Sequence, residues 1–310
     1  MRVFVAALAL GAFPMAPAAE ELVIGMTAWP SAQVTGYIIG QVAAEQLGVE
    51  PSYVERGSMG LLSGISRGEI DVYPELWSPN LDAAVARFAD KITVSARKVD
   101  AHQGVCVTRA TADATGIKSL GDLDKVDIAS QFDSDGDGRG EMWIGDHSWF
   151  STNVERVRAR SVGYDKTMML LEAPEELAMA AVDAAVATDK PIVFYCYSPH
   201  HLFQLHEVVL LDEAPHDPAN WHIVAPADDP NWLTASRADT GWAASSLSIG
   251  YASSLAERQP AVAALLSNIQ FDGADIAAMS YAVEVERKVP DEVAGEWVKA
   301  NAERIAGWLK

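Results

Sequence analysis

The order of apolar and amphipathic segments predicts an α/β protein of two lobes, the first completed by the C-terminal segment. Three observations lead there. Short apolar runs alternate with helix-like stretches, they fall into two sets, and from Ser245 onward the pattern of the first set returns. Strand–helix alternation in units of this length implies parallel pairing within a sheet flanked by helices.

Taken in order, residues 22–27 read as a strand and 32–47 as a helix with apolar spacing. Tyr53-Val54 begins a second strand, 59–65 a short helix, and 70–73 a third strand. The second set opens at Gly104-Val105-Cys106-Val107 and continues through 120–123 and 126–128. It then gives a helix at 173–187 and strands at 192–197 and 208–211, with 221–225 in the same half. The return runs through 247–251 into helices at 261–269, 272–283 and 290–309. The expected boundaries are 19–104 with 246–310 for lobe I and 105–245 for lobe II.

The start of the chain reads as a signal peptide over residues 1–18: Arg2, an apolar run at 3–13, then Ala16-Pro17-Ala18. No later stretch is apolar for long enough to span a bilayer. No cysteine stands at the end of the apolar run, so the expectation is an unanchored protein in a Gram-negative periplasm. A formal net charge of −20 would repel phosphate, which speaks against nucleic acid and anionic membranes as partners. Cys106 and Cys196 lie far apart in apolar segments and read as two buried thiols rather than a disulfide, with their pairing left open.

Four aromatic residues carry the chemistry. Trp29 ends an apolar run, and Trp77 lies in Pro74-Glu75-Leu76-Trp77-Ser78-Pro79. Trp149 follows Gly145-Asp146-His147-Ser148, and Tyr197 precedes Ser198-Pro199. Large rings at turns need something to cover, and ring faces attract soft cations, so these residues predict a cage for a small methylated amine. Ligands of open α/β sheets bind beyond the carboxyl ends of strands, where Trp29, Trp77 and Tyr197 fall. Trp143 would either cover the pocket or pack beneath the neighbouring acidic loop. Trp221, Trp232, Trp242, Trp297 and Trp308 read as packing residues. Glu75 and Glu141 are candidate partners for the cation, Glu75 reading more readily as a surface or loop carboxylate.

The acidic loop resembles the first part of a calcium loop. Asp133, Asp135 and Asp137 stand at positions one, three and five, Gly138 at six, the Arg139 carbonyl at seven and Glu141 at nine. Ile144 occupies position twelve, where a bidentate glutamate is usual, leaving Asp146 as a further candidate ligand. A structural Ca2+ that braces the Trp149 segment is the one metal expected, and no cofactor is required. The opposing reading is a secreted hydrolase. Against it, the chain has no Gly-x-Ser-x-Gly elbow, no His-Glu-x-x-His helix and no phosphate-cradling glycine loop. His200, His201 and His206 read as solvent-exposed or lobe-interface residues.

Several segments together resemble the substrate-binding proteins of glycine betaine, choline and proline-betaine ABC importers. They are Gly68-Glu69-Ile70-Asp71-Val72-Tyr73 leading into Glu75-Leu76-Trp77-Ser78-Pro79, the run 116–123, and Pro191-Ile192-Val193-Phe194-Tyr195-Cys196-Tyr197-Ser198-Pro199. The aspartate-rich loop with the Trp149 turn resembles the betaine-binding subset. The acidic, tryptophan-rich chain is also similar to the trimethylamine N-oxide-binding branch. The resemblance implies a two-lobed periplasmic-binding-protein clamshell of type II, an aromatic box, and a monomer that serves an inner-membrane ABC permease. In it, Trp77 matches a cage tryptophan of the first lobe and Trp149 one of the second. Tyr197 stands where betaine binders show tryptophan. Trp29 matches a cage residue of the choline-binding relatives, but Pro30-Ser31-Ala32 follows it here, without their acidic partner. The implied ligands are trimethylamine N-oxide or glycine betaine, with choline or another quaternary amine as the alternative. A betaine carboxylate would need donors near Ser78 and Asn80, or from His147.

Overall fold

The computed structural model describes residues 21–310; the expected signal segment lies outside the described residues. In the first half, strand β1 (Glu21–Met26) leads into the helix Pro30–Val42 and β2 (Glu50–Glu55), and the helix Ser58–Arg67 leads into β3 (Val72–Ser78). Both β2 and β3 pair parallel to β1. A short β4 (Ile92–Val94) and a long β5 (Val99–Thr108) carry the chain across to the second half. There β6 (Gly140–Trp143), the helix Phe150–Val162, β7 (Met168–Leu171), the helix Glu175–Ala187 and β8 (Val193–Ser198) follow. β7 and β8 pair parallel to β6. After β9 (Val208–Leu210), β10 (Trp221–His222) and β11 (Arg237–Ala238) form a separate two-stranded pair. Strand β12 (Ser245–Ala252) then returns to the first half, where the helix Pro290–Ala300 packs on the helix Pro30–Val42.

The strand order is β2-β1-β3-β12-β5-β8-β6-β7, with β4 on β12 and β9 on β5. The expected parallel pairing therefore holds at the two flanks only. The centre is antiparallel, because β5 leaves the first half and β12 re-enters it in opposite directions. Strand β5 belongs to both halves. Its residues Val99 to Ala101 pair with β12, and His102 to Val107 pair with β8. The expected boundary at 104/105 falls inside this strand.

Other departures have local causes. Strand β3 does not stop at Tyr73 but runs through Pro74 to Ser78. Proline has no N–H for the ladder, and β12 slips register between Ser248 and Gly250, opposite that stretch. The first helix ends at Val42 and widens into a π turn at Ala43–Leu47, closed by Gly48. The expected helix at 290–309 breaks at Asn301 into Pro290–Ala300 and Ala302–Trp308. Cys106 and Cys196 are joined in a disulfide, which overturns the reading as free thiols. Antiparallel pairing of β5 and β8 sets Gly104 opposite Cys196 and brings the two cysteines to a Cα separation of 5.7 Å, a neighbourhood that sequence distance hides. The helix Phe150–Val162 had no sequence signal, since its buried face includes Glu155 and Arg158.

Candidate functional site

A cavity between the halves is lined by Trp29, Tyr73, Trp77, Asn80, Gln103, Trp149, Tyr195 and Tyr197, with Ser58, Leu81, Phe150 and Ser151 completing the wall. Two local devices place the rings. Trp29 and Trp149 are each the extended residue before a helix, at φ −87°, ψ 146° and φ −84°, ψ 139°. Trp77 and Tyr197 are the next-to-last residues of β3 and β8, each followed by a cis Ser-Pro bond. Each half thus contributes one ring at a helix start and one at a strand end.

The rings meet edge to face. Trp77 and Tyr197 lie 5.4 Å apart between centroids at 85°, Trp149 and Tyr197 5.9 Å at 82°, and Trp29 and Trp149 6.0 Å at 88°. Edge-to-face contact is a favoured packing of aromatic rings, and rings set at right angles are oriented as adjacent walls of a box would be.

Trp149 is held by a tight turn. The Asp146 carbonyl accepts from the Trp149 N–H at 3.0 Å and from Thr152 Oγ1 at 2.6 Å, while its carboxylate accepts from the Ser148 N–H at 2.7 Å. Gly145 sits at φ +123°, and a Cβ there would come within 2.4 Å of Thr152 Oγ1, so only glycine fits. Asp146 is thus spent on the turn and does not join the acidic loop as a ligand. His147 points outward, with its side chain 80% exposed, and does not line the cavity. The Ser58 N–H donates to the Ser148 carbonyl at 3.2 Å, tying the two halves beside the cavity.

Glu75 is not a surface carboxylate. It is 1% exposed and accepts hydrogen bonds from Trp29 Nε1 at 2.7 Å, Ser31 Oγ at 3.0 Å and Thr35 Oγ1 at 3.1 Å. An acidic partner for Trp29 therefore exists, but it comes from β3 rather than from the residues after Trp29. In the other half, Glu175 is 5% exposed, accepts from the Tyr197 hydroxyl at 2.6 Å and lies 3.0 Å from His200 Nε2. Burial and the Glu175 charge raise the Tyr197 hydroxyl well above its ordinary pKa, so it stays a proton donor. His200 and His201 are buried rather than solvent-exposed, His201 bonding Ser280 through Nδ1 at 2.7 Å. Burial lowers the His201 pKa to about 3 and keeps its ring neutral.

The polar floor of the cavity is a pair of amides. Asn80 Nδ2 donates to Gln103 Oε1, and Gln103 Nε2 donates to Asn80 Oδ1, both at 2.8 Å. Gln103 also donates to Ser245 Oγ and accepts from the Tyr195 hydroxyl, which uses its full capacity. Asn80 keeps one donor and one acceptor. The sequence singles out none of Gln103, Tyr195 and Glu175 as site residues, and marks Asn80 only as a place near which donors would be needed. The one available signal was a glutamine beside an apolar strand.

Trp143 and Glu141 do not line the cavity. Trp143 packs behind Trp149 at 5.7 Å and donates from Nε1 to the Ala173 carbonyl at 2.9 Å. Glu141 turns into the acidic loop, where Oε2 accepts from the Ser134 N–H at 2.8 Å. Ligand atoms of Asp133, Asp135, Asp137 and Glu141 all lie within 4.8 Å of one another. The Arg139 guanidinium turns away from them to the Asp165 and Met168 carbonyls, so the loop's own cation does not neutralise them.

The family of substrate binding domains of ABC-type glycine betaine transport systems matches residues 20–300. The glycine betaine/proline betaine-binding periplasmic protein of Salmonella typhimurium is 24% identical over 219 residues, covering 68% of this chain and 64% of the relative. Its Escherichia coli counterpart is 24% identical over 216 residues, covering 67% and 64%. The chain thus spans 64% of the length of the curated relatives it matches. Among solved structures, an ABC-transporter choline-binding protein in complex with choline shares the fold with a TM-score of 0.73 at 18% identity, covering 93% of this chain and 91% of the other. The glycine betaine/L-proline-binding protein of Borrelia burgdorferi gives 0.74 at 16%, covering 94% and 97%. A lactococcal protein, closed and complexed with glycine betaine, gives 0.70 at 16%, covering 94% and 100%. The fold is that of the periplasmic-binding-protein clamshells.

Proposed function

Because the chain belongs to the substrate-binding domain family of ABC-type glycine betaine transport systems, we propose that it captures a small methylated ammonium compound in an aromatic cage and delivers it to a membrane permease. The observation that carries this reading is the convergence of Trp29, Trp77, Trp149 and Tyr197, from both halves, on a cavity that no charged side chain lines. Ring faces attract a methylated cation with about 2 kcal/mol or more per well-placed, desolvated face. The ligand bridges the halves and favours the closed form through its contacts with both. The two lobes of that motion are the two halves, which join within β5, where pairing passes from β12 to β8 between Ala101 and His102, and again ahead of β12. The protein works as a monomeric binder in the periplasm, returns its ligand unchanged and is not an enzyme.

The polar end selects among methylamines. With no Lys, Arg or His in the wall, a betaine carboxylate would lack a counter-charge. The single oxygen of trimethylamine N-oxide needs only neutral donors, such as the free Asn80 N–H or the Ser151 hydroxyl at the helix start. The N-oxide is therefore placed ahead of glycine betaine. Choline remains the second reading, supported by the acidic group beside Trp29. Calorimetric competition among the three ranks them, and no measurable heat with any of them would sink the cage.

The four carboxylates of the acidic loop are proposed to hold a structural Ca2+ through Asp133, Asp135, Asp137, Glu141 and the Arg139 carbonyl. A chelator should then lower the melting temperature of the ligand-free protein. An unchanged melting curve would remove the metal.

A further inference from the structure

The first half buries a carboxyl group, Glu75, that no cation bonds among the described residues. Glu75 sits behind Trp29, and its three hydrogen-bond donors, an indole and two hydroxyls, are all neutral. The other groups around it supply no bonded cation. Tyr73 shares its strand, Met279 approaches Thr35 from the helix Gly273–Glu284, and Glu175 adds a second negative charge from the other half. Arg97 shares a neighbouring cleft with Glu75, but it is exposed and makes no bond to it. A buried carboxylate without a cation is costly, and charge removed from water acts over the thickness of a ring. Of the three donors bonded to this carboxylate, Trp29 alone lines the cavity.

We propose that Glu75 is a specificity-determining residue of the cage: bonded to the Trp29 N–H, it makes that wall selective for positive charge and not merely for methyl groups. This rests on the methylated-ammonium reading above. An anion at the indole N–H raises electron density on the ring, and its own field reaches the cavity. A cation on the far side of Trp29 supplies the charge that Glu75 lacks, so ligand and carboxylate stabilise each other. Glu175 behind Tyr197 differs, because it lies further along the other wall with the His200 ring against it, Nε2 at 3.0 Å.

Ionisation of Glu75 gives the coupling a signature. Burial pushes its carboxyl up to about 7, against the pull of its hydrogen bonds from Trp29, Ser31 and Thr35 and with a further push from Glu175. Affinity for a methylated cation should therefore rise as pH climbs from 6 to 8.5, as the carboxylate becomes fully charged. The test is to titrate wild type and Glu75→Gln with trimethylamine N-oxide, glycine betaine and choline across that range, following whichever binds tightest. Glu75→Gln should bind about tenfold more weakly at pH 8 and lose the slope. A variant that keeps wild-type affinity, or keeps the slope, overturns the proposal. Failure of wild type to bind any of the three overturns the methylated-ammonium reading instead. Should Glu75→Gln not fold, Trp29→Phe decides, because it keeps a ring in the wall but removes the N–H that bonds Glu75: a flattened slope supports the proposal, and a slope as steep as that of wild type overturns it.

Discussion

Trp77-Ser78-Pro79 in the first half and Tyr197-Ser198-Pro199 in the second end comparable strands, and Trp29 and Trp149 each precede a 13-residue helix. What stands behind these rings differs. In the first half the Trp29 N–H is bonded to Glu75, and the helix Pro30–Val42 carries no charged residue. In the second half Trp149 Nε1 is buried without a partner, and the following helix hides Glu155 and Arg158, both fully buried. Arg158 pairs with Glu155 at 2.7 Å and Glu213 at 2.6 Å, and Trp242 Nε1 donates to Glu155 at 2.8 Å. The same wall positions can thus be backed by an uncharged helix or by a helix whose buried Glu155 and Arg158 pair with each other. The second solution is the more fragile, since each buried charge depends on the others.

The largest effect expected from breaking this contrast is in the second half. Arg158→Ala leaves Glu155 and Glu213 unpaired and should cost about 3–5 kcal/mol in chemical denaturation. A loss as small as that of an exposed arginine would mean that water already reaches the cluster. At the cage, Trp77→Ala should weaken ligand binding by tens of fold, about 2 kcal/mol or more. Tyr197→Ala should cost less, because the smaller ring offers less face; equal affinity in Trp77→Ala and wild type would refute the cage. The smallest effect sharpens the role of Glu75. Its folded-state pKa lies above the unfolded value, so the stability it contributes is full below about pH 4.3 and is lost as pH rises through about 7. Between pH 5 and 8 the ligand-free wild type should lose a few degrees of melting temperature relative to Glu75→Gln, roughly what 1–2 kcal/mol shifts in a protein of this size. Parallel melting curves for the two would show that Glu75 does not titrate there.

Much of this contrast was hidden from the sequence. Strands β1, β8 and β12 stood out as apolar runs, and Trp29, Trp77, Trp149 and Tyr197 stood out because proline or glycine punctuates the chain beside them. The helix Phe150–Val162 did not, because pairwise cancellation of Glu155 and Arg158 makes a buried face look like a solvent face. Glu75 read as a loop carboxylate for a related reason, since its donors lie about forty residues upstream at Trp29, Ser31 and Thr35. The Cys106–Cys196 bond and the Asn80–Gln103 amide pair likewise depend on which strands become neighbours. Single residues at turns were legible; polar partnerships formed across the sheet were not.

The placement of β12 bears on how the chain reaches this structure. It lies between β3 and β5, and its pairing with β3 joins residues separated by well over a hundred positions. The first half therefore cannot complete its sheet until nearly the whole chain is available, whereas β6, β7 and β8 can assemble from one continuous stretch. Such long-range closure slows folding, because the loop must be gathered before its contacts repay the entropy. The second half is expected to form first and to offer the free edge of β5 as the template on which the first is finished.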